Sequence, residues 1–153
     1  MADSTFEWTN DELSGALERA LAEGRDPSDA LAAVGEYMVG SIQETFSVGG
    51  RPENWAPWSD NYAAWRETHR PNKGVLHFDE LLSASINFQL HAAGVETGTN
   101  VKYAAIHQFG GETGSRDGRF IMEARPFVQF LDEDVAVIED ILTEWAFGSL
   151  GVN

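Results

Sequence analysis

Histidine is the side chain best placed to do acid–base or metal chemistry near neutral pH, and this sequence contains four of them. One stands in the run YAAIHQFGG, residues 103–111, where His107 and Gln108 lie between apolar residues and a double glycine. His107 could be a general base or a metal ligand, or it could hydrogen-bond the backbone at a turn. None of the four histidines belongs to an H-E-x-x-H or similarly close metal spacing, which favours the structural interpretation.

Other catalytic patterns are missing from the sequence. It contains neither a G-x-S-x-G nucleophile elbow nor a phosphate-binding loop with its lysine. Acidic pairs such as Asp132 with Asp134 stand at predicted helix starts, where carboxylates complement the helix dipole. The absence of cysteine excludes disulfides and thiolate metal sites. We therefore expect no enzyme, no cofactor and no metal, with a small hydrolase centred on His107 as the remaining enzymatic alternative.

Composition predicts one domain over residues 1–153, with a core at about 9–148, because 153 residues with 42% hydrophobic side chains can bury a core. Ten basic against 25 acidic residues give a formal charge of −15. Such a surface repels phosphate, so it suits a soluble protein or a channel wall along which DNA slides. No membrane-length apolar run or secretory signal is visible, and we expect cytoplasmic synthesis.

Apolar residues at helical spacing predict four helices. The first follows a capping box, Thr9 to Glu12, and stops at Gly24. The second begins at Pro27 and carries a long stripe, and the third begins at Ser59 and ends before Pro71. Asp132 is predicted to cap the last helix, which stops at Gly148. The stripe of the second helix consists of Leu31, Val34, Met38, Ile42 and Phe46.

Alternation of apolar and polar residues predicts a half-buried strand over Leu82–Leu90 and a weaker return strand over Val95–Thr99. A short helix or turn follows at 103–109, and a further strand is expected at Arg119–Met122. The predicted fold is α+β: a small, mainly antiparallel sheet flanked by helices, with a long helix in the N-terminal half and a C-terminal helix. Mobile loops are expected at about 47–58 and 110–118.

Three tryptophans and one arginine are candidates for contacts. Trp55, Trp58 and Trp65 either attach a long loop to the core or form a partner surface, because tryptophan is enriched in interface hot spots. In the run EARPFVQF, Arg125-Pro126 favours an extended backbone from which Phe127 and Phe130 can be buried. Arg125 is expected to bind a carboxylate, within the chain or across a subunit boundary.

Four sequence blocks, GGRPENWAPWS, GVLHFDELLSASI, YAAIHQFGG and ARPF, precede an acidic C-terminal helix. Together they resemble the phage virion morphogenesis family, and through it the tail-completion and tail-terminator proteins of tailed phages. The resemblance covers about residues 31–145. Trp58 stands where leucine is usual, and Asp79 and Glu80 stand where a small residue and a glycine are expected.

The resemblance implies a structural virion protein at the head-proximal end of the tail, which caps the tube and permits head–tail joining. It implies a ring, with a hexamer expected, that contacts copies of itself, the tail tube protein and the neck or connector proteins. DNA would pass through a negative lumen without specific binding. The protein would be assembled in the host cytoplasm and reside in the tail or neck. A connector on the head side of the neck is the alternative.

The family motifs also define a candidate assembly interface. Within YAAIHQFGG, we expect Tyr103, Ile106 and Phe109 to be buried, while His107 and Gln108 form backbone or intersubunit hydrogen bonds. The glycines are expected to turn the chain into the following loop. The candidate interface residues are Trp55, Trp58, Tyr103, His107, Gln108, Phe109, Gly110, Gly111, Arg125, Pro126 and Phe127.

Overall fold

The computed structural model describes residues 11–69, 71, 74–76, 80–92, 94–115 and 118–148. The α+β class is confirmed, although in these ranges the strands form two separate antiparallel hairpins, β1–β2 and β3–β4, rather than one sheet. The elements, in chain order, are α1 Asp11–Ala22, α2 Ser28–Val48, α3 Asp60–His69, α4 Leu81–Ala84, β1 Asn87–His91, β2 Gly94–Gly98, α5 Ala104–Phe109, β3 Gly111–Ser115, β4 Gly118–Met122 and α6 Asp132–Phe147.

The predicted helices are confirmed as α1, α2, α3 and α6, and the long stripe of α2 is buried from Val34 to Phe46. The capping role of Thr9 falls outside the described residues. The predicted cap of α6 was wrong, because Asp132 is already helical and Leu131 holds the N-cap position. The carboxylate of Asp134 accepts the Leu131 N–H at 2.9 Å, so it is the third helical residue that satisfies this end of the helix.

The described residues form two compact units. The first contains residues up to Met38, Phe88–Thr97 and those from Phe130 onward, and it packs α1 against α6. At the end of α6, the Arg25 guanidinium donates to the carbonyls of Trp145 and Ala146, where a helix leaves its carbonyls without internal partners. The small core between these helices consists of Leu13, Ala16 and Ala146, with Leu17, Leu142 and Trp145 packed against it.

The second unit contains Val39–Asn87 and Gly98–Gln129 and carries the larger core. Its centre is Phe46, whose ring lies 5.4 Å from Trp55 and 5.1 Å from Phe127, measured between ring centroids. Trp55 from the loop after α2 and Phe127 from the later extended segment therefore both pack on Phe46 of α2. The remaining buried members are Ile42, Leu82, Ile86 and Ala104. The assignment of the whole chain to one domain stays a prediction.

Two predicted local structures were wrong. The alternating run at Leu82–Leu90 begins with the helical turn α4, so Leu82 and Ile86 are both buried at a spacing of four while Leu90 is exposed. The predicted loop at 110–118 is instead mostly strand, since β3 pairs with β4 from Gly111↔Met122 to Ser115↔Gly118. Its polar, glycine-rich residues gave no apolar alternation by which the sequence could indicate a strand. Residues 116 and 117 lie outside the described ranges.

A pair of glycines tests how tightly the loop after α2 is packed. Gly50 has φ +118°, and a Cβ there would lie 2.5 Å from the Trp55 nitrogen and 2.6 Å from the Glu53 oxygen. We expect Gly50→Ala to lower the free energy of unfolding by about 2 kcal/mol or more. Gly40, exposed inside α2 with no atom near its added Cβ, is the control, and Gly40→Ala should stabilise by about 0.5–1 kcal/mol. Urea unfolding measures both, and two equal effects would contradict the prediction.

Candidate functional site

The ARPF block is an extended segment whose backbone groups are satisfied by side chains. The amide oxygen of Gln108, on α5, accepts the N–H groups of Phe127 and Val128 at 2.9 and 3.0 Å. Its amide nitrogen donates to the Val128 carbonyl at 2.8 Å. The predicted backbone hydrogen bonds of Gln108 are therefore confirmed. The Gln108 side chain thus satisfies backbone groups that would otherwise pair with a neighbouring strand.

Trp55 attaches the loop after α2 to the same segment. Its indole is buried, and Nε1 donates to the Pro126 carbonyl at 2.8 Å. At the start of the loop, Arg51 donates to the Ser41 carbonyl at 2.6 Å and to the Thr45 hydroxyl at 3.1 Å, both on α2. Of the two interpretations of Trp55, the structure favours attachment to the core.

Arg125 does not bind a carboxylate within the described chain, which corrects that half of the prediction. The guanidinium is buried and donates to backbone carbonyls instead, from Nε to Ala56 at 3.0 Å and from Nη2 to Pro57 at 3.1 Å. The loop carbonyls face inward and need donors, which explains this outcome. No described carboxylate neutralises the positive charge of Arg125, and Nη1 has no partner among the described residues.

Beside this segment, the second unit contains a cleft of about 990 Å³. Its walls come from the end of the loop, from α3, α4, α5 and from β4. Several lining side chains are apolar yet exposed. Their exposed fractions are 42% for Tyr62, 56% for Leu81, 43% for Tyr103, 57% for Phe120 and 82% for Ile121.

Aromatic rings and a buried arginine form the wall on the α3 side. The Arg66 guanidinium lies 4.7 Å from the ring centre of Trp58, a cation–π contact, and Arg66 itself is only 2% exposed. Tyr62 packs edge-on against Trp58 with centroids 5.9 Å apart. Trp58 is half-buried, so it both covers Arg66 and forms part of the cleft.

His107 lies on the opposite wall with Tyr103, whose ring packs edge-on against it at 5.9 Å. Burial, and secondarily the charge of Arg125, lower the pKa of His107 below its ordinary value of 6.5, so the ring is neutral at neutral pH. The predicted side-chain hydrogen bond is not formed within the described residues, where Nδ1 is buried without a partner. Only its backbone oxygen is used, accepting the Arg125 N–H at 2.7 Å.

The predicted burial of Tyr103 and Phe109 was wrong, since they are 43% and 55% exposed. Helix α5 has six residues and buries Ala104, so its aromatic residues remain at the surface. The glycine prediction holds at Gly110, which has φ +67° and whose added Cβ would lie 2.7 Å from the Ala124 nitrogen. Gly111, at φ +134°, then opens β3.

Two non-glycine residues of the cleft have left-handed backbones. Leu76 has φ 62° and Glu80 has φ 57°, and both line the cleft. Glu80 occupies the position where the family pattern has glycine, the residue that adopts this conformation without a steric penalty. Asp79, the neighbouring departure from the pattern, lies outside the described residues. Left-handed backbone at non-glycine residues concentrates at functional sites.

Eight of the eleven predicted interface residues thus divide into two groups. Trp55, Gln108, Arg125, Pro126 and Phe127 hold the extended segment, whereas Trp58, Tyr103 and His107 line the cleft along with Arg125. Sequence reasoning missed the exposed apolar residues Tyr62, Leu81, Phe120 and Ile121. The available signal was the run Phe120–Met122, because consecutive apolar residues on a strand cannot all face one core.

Two further observations bear on chemistry and location. Within the described ranges, no group of three or more histidine or acidic side chains could hold a metal ion. None of the described helices has the length and apolarity that crossing a bilayer requires.

Residues 9–146 match the model of the phage virion morphogenesis family, and the chain belongs to that family. It is 33% identical over 131 residues to Mu-like prophage FluMu G protein 2 of Haemophilus influenzae, covering 85% of this chain and 86% of that one. It is 30% identical over 97 residues to putative capsid assembly protein G of Escherichia phage Mu, covering 60% and 61%. No solved structure matches the chain. The protein is therefore a structural virion component that acts in phage morphogenesis.

Gln108 makes three hydrogen bonds to backbone groups, so its removal should weaken the second unit strongly. We expect Gln108→Ala to lower the free energy of unfolding by about 2–3 kcal/mol. Gln43, exposed on α2, provides the matched control, and Gln43→Ala should change stability by less than about 0.5 kcal/mol. Denaturant titration of both variants measures this. A Gln108→Ala effect as small as the control would show that the segment is held by burial alone.

The pKa shift of His107 predicts a pH dependence. Because the folded protein binds the proton less readily than the unfolded chain, this residue lowers stability as pH falls below about 6.5 and has no effect well above it. Replacing it by His107→Gln should therefore reduce the loss of unfolding free energy between about pH 7.5 and about pH 5.5. Urea titrations of both proteins at the two pH values measure the difference. Equal losses of unfolding free energy in the original protein and in His107→Gln would show that His107 is not desolvated in solution.

Proposed function

We propose that this protein is a tail completion or tail terminator subunit, which caps the finished tail tube at its head-proximal end and permits head–tail joining. The observation that carries the proposal is the exposed apolar cleft of the second unit, in a chain of the phage virion morphogenesis family. A structural protein without catalytic activity needs such a surface for partners. We therefore assign the cleft to assembly rather than to a reaction.

The cleft has the properties of a protein interface. Phe120 and Ile121 stand next to each other on β4 and are 57% and 82% exposed. Contiguous exposed apolar surface on a soluble protein marks interaction sites. Trp58, Tyr103 and Arg125 contribute the residue types that are enriched in interface hot spots. A ligand held here would be bound by area and shape, as protein partners are.

A ring of subunits, with a hexamer expected, fits these features. When the cleft of one copy binds a different surface of the next, the contact is heterologous and closes into a ring if the rotation allows it. The formal charge of −15 would give such a ring a negative lumen, through which DNA passes without specific binding. The direct neighbours would be other copies, the tail tube protein and the neck or connector proteins.

A connector on the head side of the neck is the second candidate. It is favoured by the similarity to putative capsid assembly protein G of phage Mu. A head-side connector would bind portal or adaptor protein, whereas a tail terminator would bind tail tube protein. Pull-down of this protein against each of the three proteins separates the candidates.

The proposal predicts a defect in tails made without this protein. We expect electron micrographs to show tails of uncontrolled length, or tails of normal length that do not join heads. The first defect would indicate a terminator and the second a joining protein. Normal tails and normal virions would contradict the proposal.

A variant pair links this defect to the cleft. Ile121→Ser should reproduce the defect, since it removes the most exposed apolar side chain of the cleft. Leu21→Ser, at an apolar residue of α1 that is 52% exposed, should support normal virions. Infectious titre measures both, and equal titres would show that the cleft is not the assembly surface.

A further inference from the structure

We infer that the cleft of the second unit binds residues 1–10 of a second copy of this chain. The inference deepens the ring proposed above and rests on it. It assigns an occupant to the cleft and a contact to the segment that precedes α1.

The first argument is the unpaired charge in the cleft. Arg125 is 9% exposed, and two of its nitrogens bind backbone carbonyls, which leave its charge without a counterion among the described residues. Hydrogen bonds between a guanidinium and a carboxylate are stronger than those to neutral acceptors. The occupant should therefore carry at least one acidic side chain.

The second argument is the apolar wall. Leu81, Tyr103, Phe120 and Ile121 are each at least 43% exposed and face the cleft. Aromatic side chains bury the largest apolar areas in interfaces. The occupant should therefore combine aromatic residues with carboxylates in a short stretch.

Residues 1–10, MADSTFEWTN, have this composition. Phe6 and Trp8 supply two aromatic rings, Asp3 and Glu7 supply two carboxylates, and there is no lysine or arginine. If extended, ten residues would reach at most roughly 33–36 Å from the start of α1 at Asp11. The family match begins at residue 9, so residues 1–8 of this segment lie outside it.

The net charge restricts how two copies can associate. With ten basic and 25 acidic residues, two copies repel each other over most of their surfaces. A contact between copies must then place an acidic segment near a cation. The cleft walls contain Arg66 and Arg125 together with Glu80 and Glu123, and Arg125 has no carboxylate partner among the described residues.

Cross-linking between single-cysteine variants tests this contact, because the chain has no cysteine of its own. Ser4→Cys places a thiol in the segment and Ile121→Cys places one in the cleft. Mixed and oxidised, this pair should form a disulfide dimer at least tenfold faster than Ser4→Cys with Val48→Cys, a control residue that is 49% exposed at the end of α2. Equal rates would overturn the inference. A chain carrying both Ser4→Cys and Ile121→Cys that forms its disulfide only within one chain would also overturn it.

A binding assay separates the segment from the rest of the contact. A labelled peptide of residues 1–10 should bind the full chain, and Ile121→Ser should weaken its binding at least tenfold. A peptide with Asp3→Asn and Glu7→Gln should also bind at least tenfold more weakly, through loss of the contact with Arg125. The inference would be overturned if the peptide did not bind at all. It would also be overturned if binding were unchanged by the Ile121→Ser protein or by the substituted peptide.

These assays use purified protein, whereas tail length and head joining report the proposed function in the phage. If the cysteine pair cross-links but tails made without the protein are normal, the contact is supported and the proposed function is rejected. If those tails are defective but the pair does not cross-link, the proposed function is supported and the contact is rejected.

Discussion

The second unit depends on one constraint: among the described residues no strand pairs with the extended segment from Arg125 to Val128, yet its backbone groups must be satisfied. Gln108 and Trp55 supply the partners, through an amide on α5 and an indole on the loop after α2. The Arg125 guanidinium in turn donates hydrogen bonds to two carbonyls of that loop, those of Ala56 and Pro57. The three polar side chains thus connect three parts of the chain that are far apart in sequence.

The same arrangement explains why the cleft exists. Phe127 is drawn into the core against Phe46, while Arg125 turns toward the loop and forms part of the cleft wall. The hairpin β3–β4 lies just before this segment in sequence and keeps Phe120 and Ile121 exposed. A two-stranded hairpin is marginally stable alone, so a partner over these apolar residues would stabilise it. Core and cleft are therefore built from adjacent residues.

His107 shows how structure changes the meaning of a motif. In sequence it is the residue of YAAIHQFGG most suited to acid–base chemistry, but its ring is half-buried and burial lowers its pKa. Gln108, its less conspicuous neighbour, makes the three hydrogen bonds that hold the unit together. The motif thus serves mainly to position the backbone, and the histidine forms part of the cleft wall.

Local sequence patterns by themselves determined the helices and the family. The stripe of α2, the stops at Gly24 and Gly148 and the turn at Gly110 follow from side-chain periodicity and backbone sterics, which act over a few residues. Only the tertiary structure decided that Arg125 binds carbonyls, that Leu82 lies in a helical turn, and that Tyr103, Phe120 and Ile121 share a cleft. Those outcomes depend on which groups meet across long sequence separations, where hydrogen-bond satisfaction and burial override local preference.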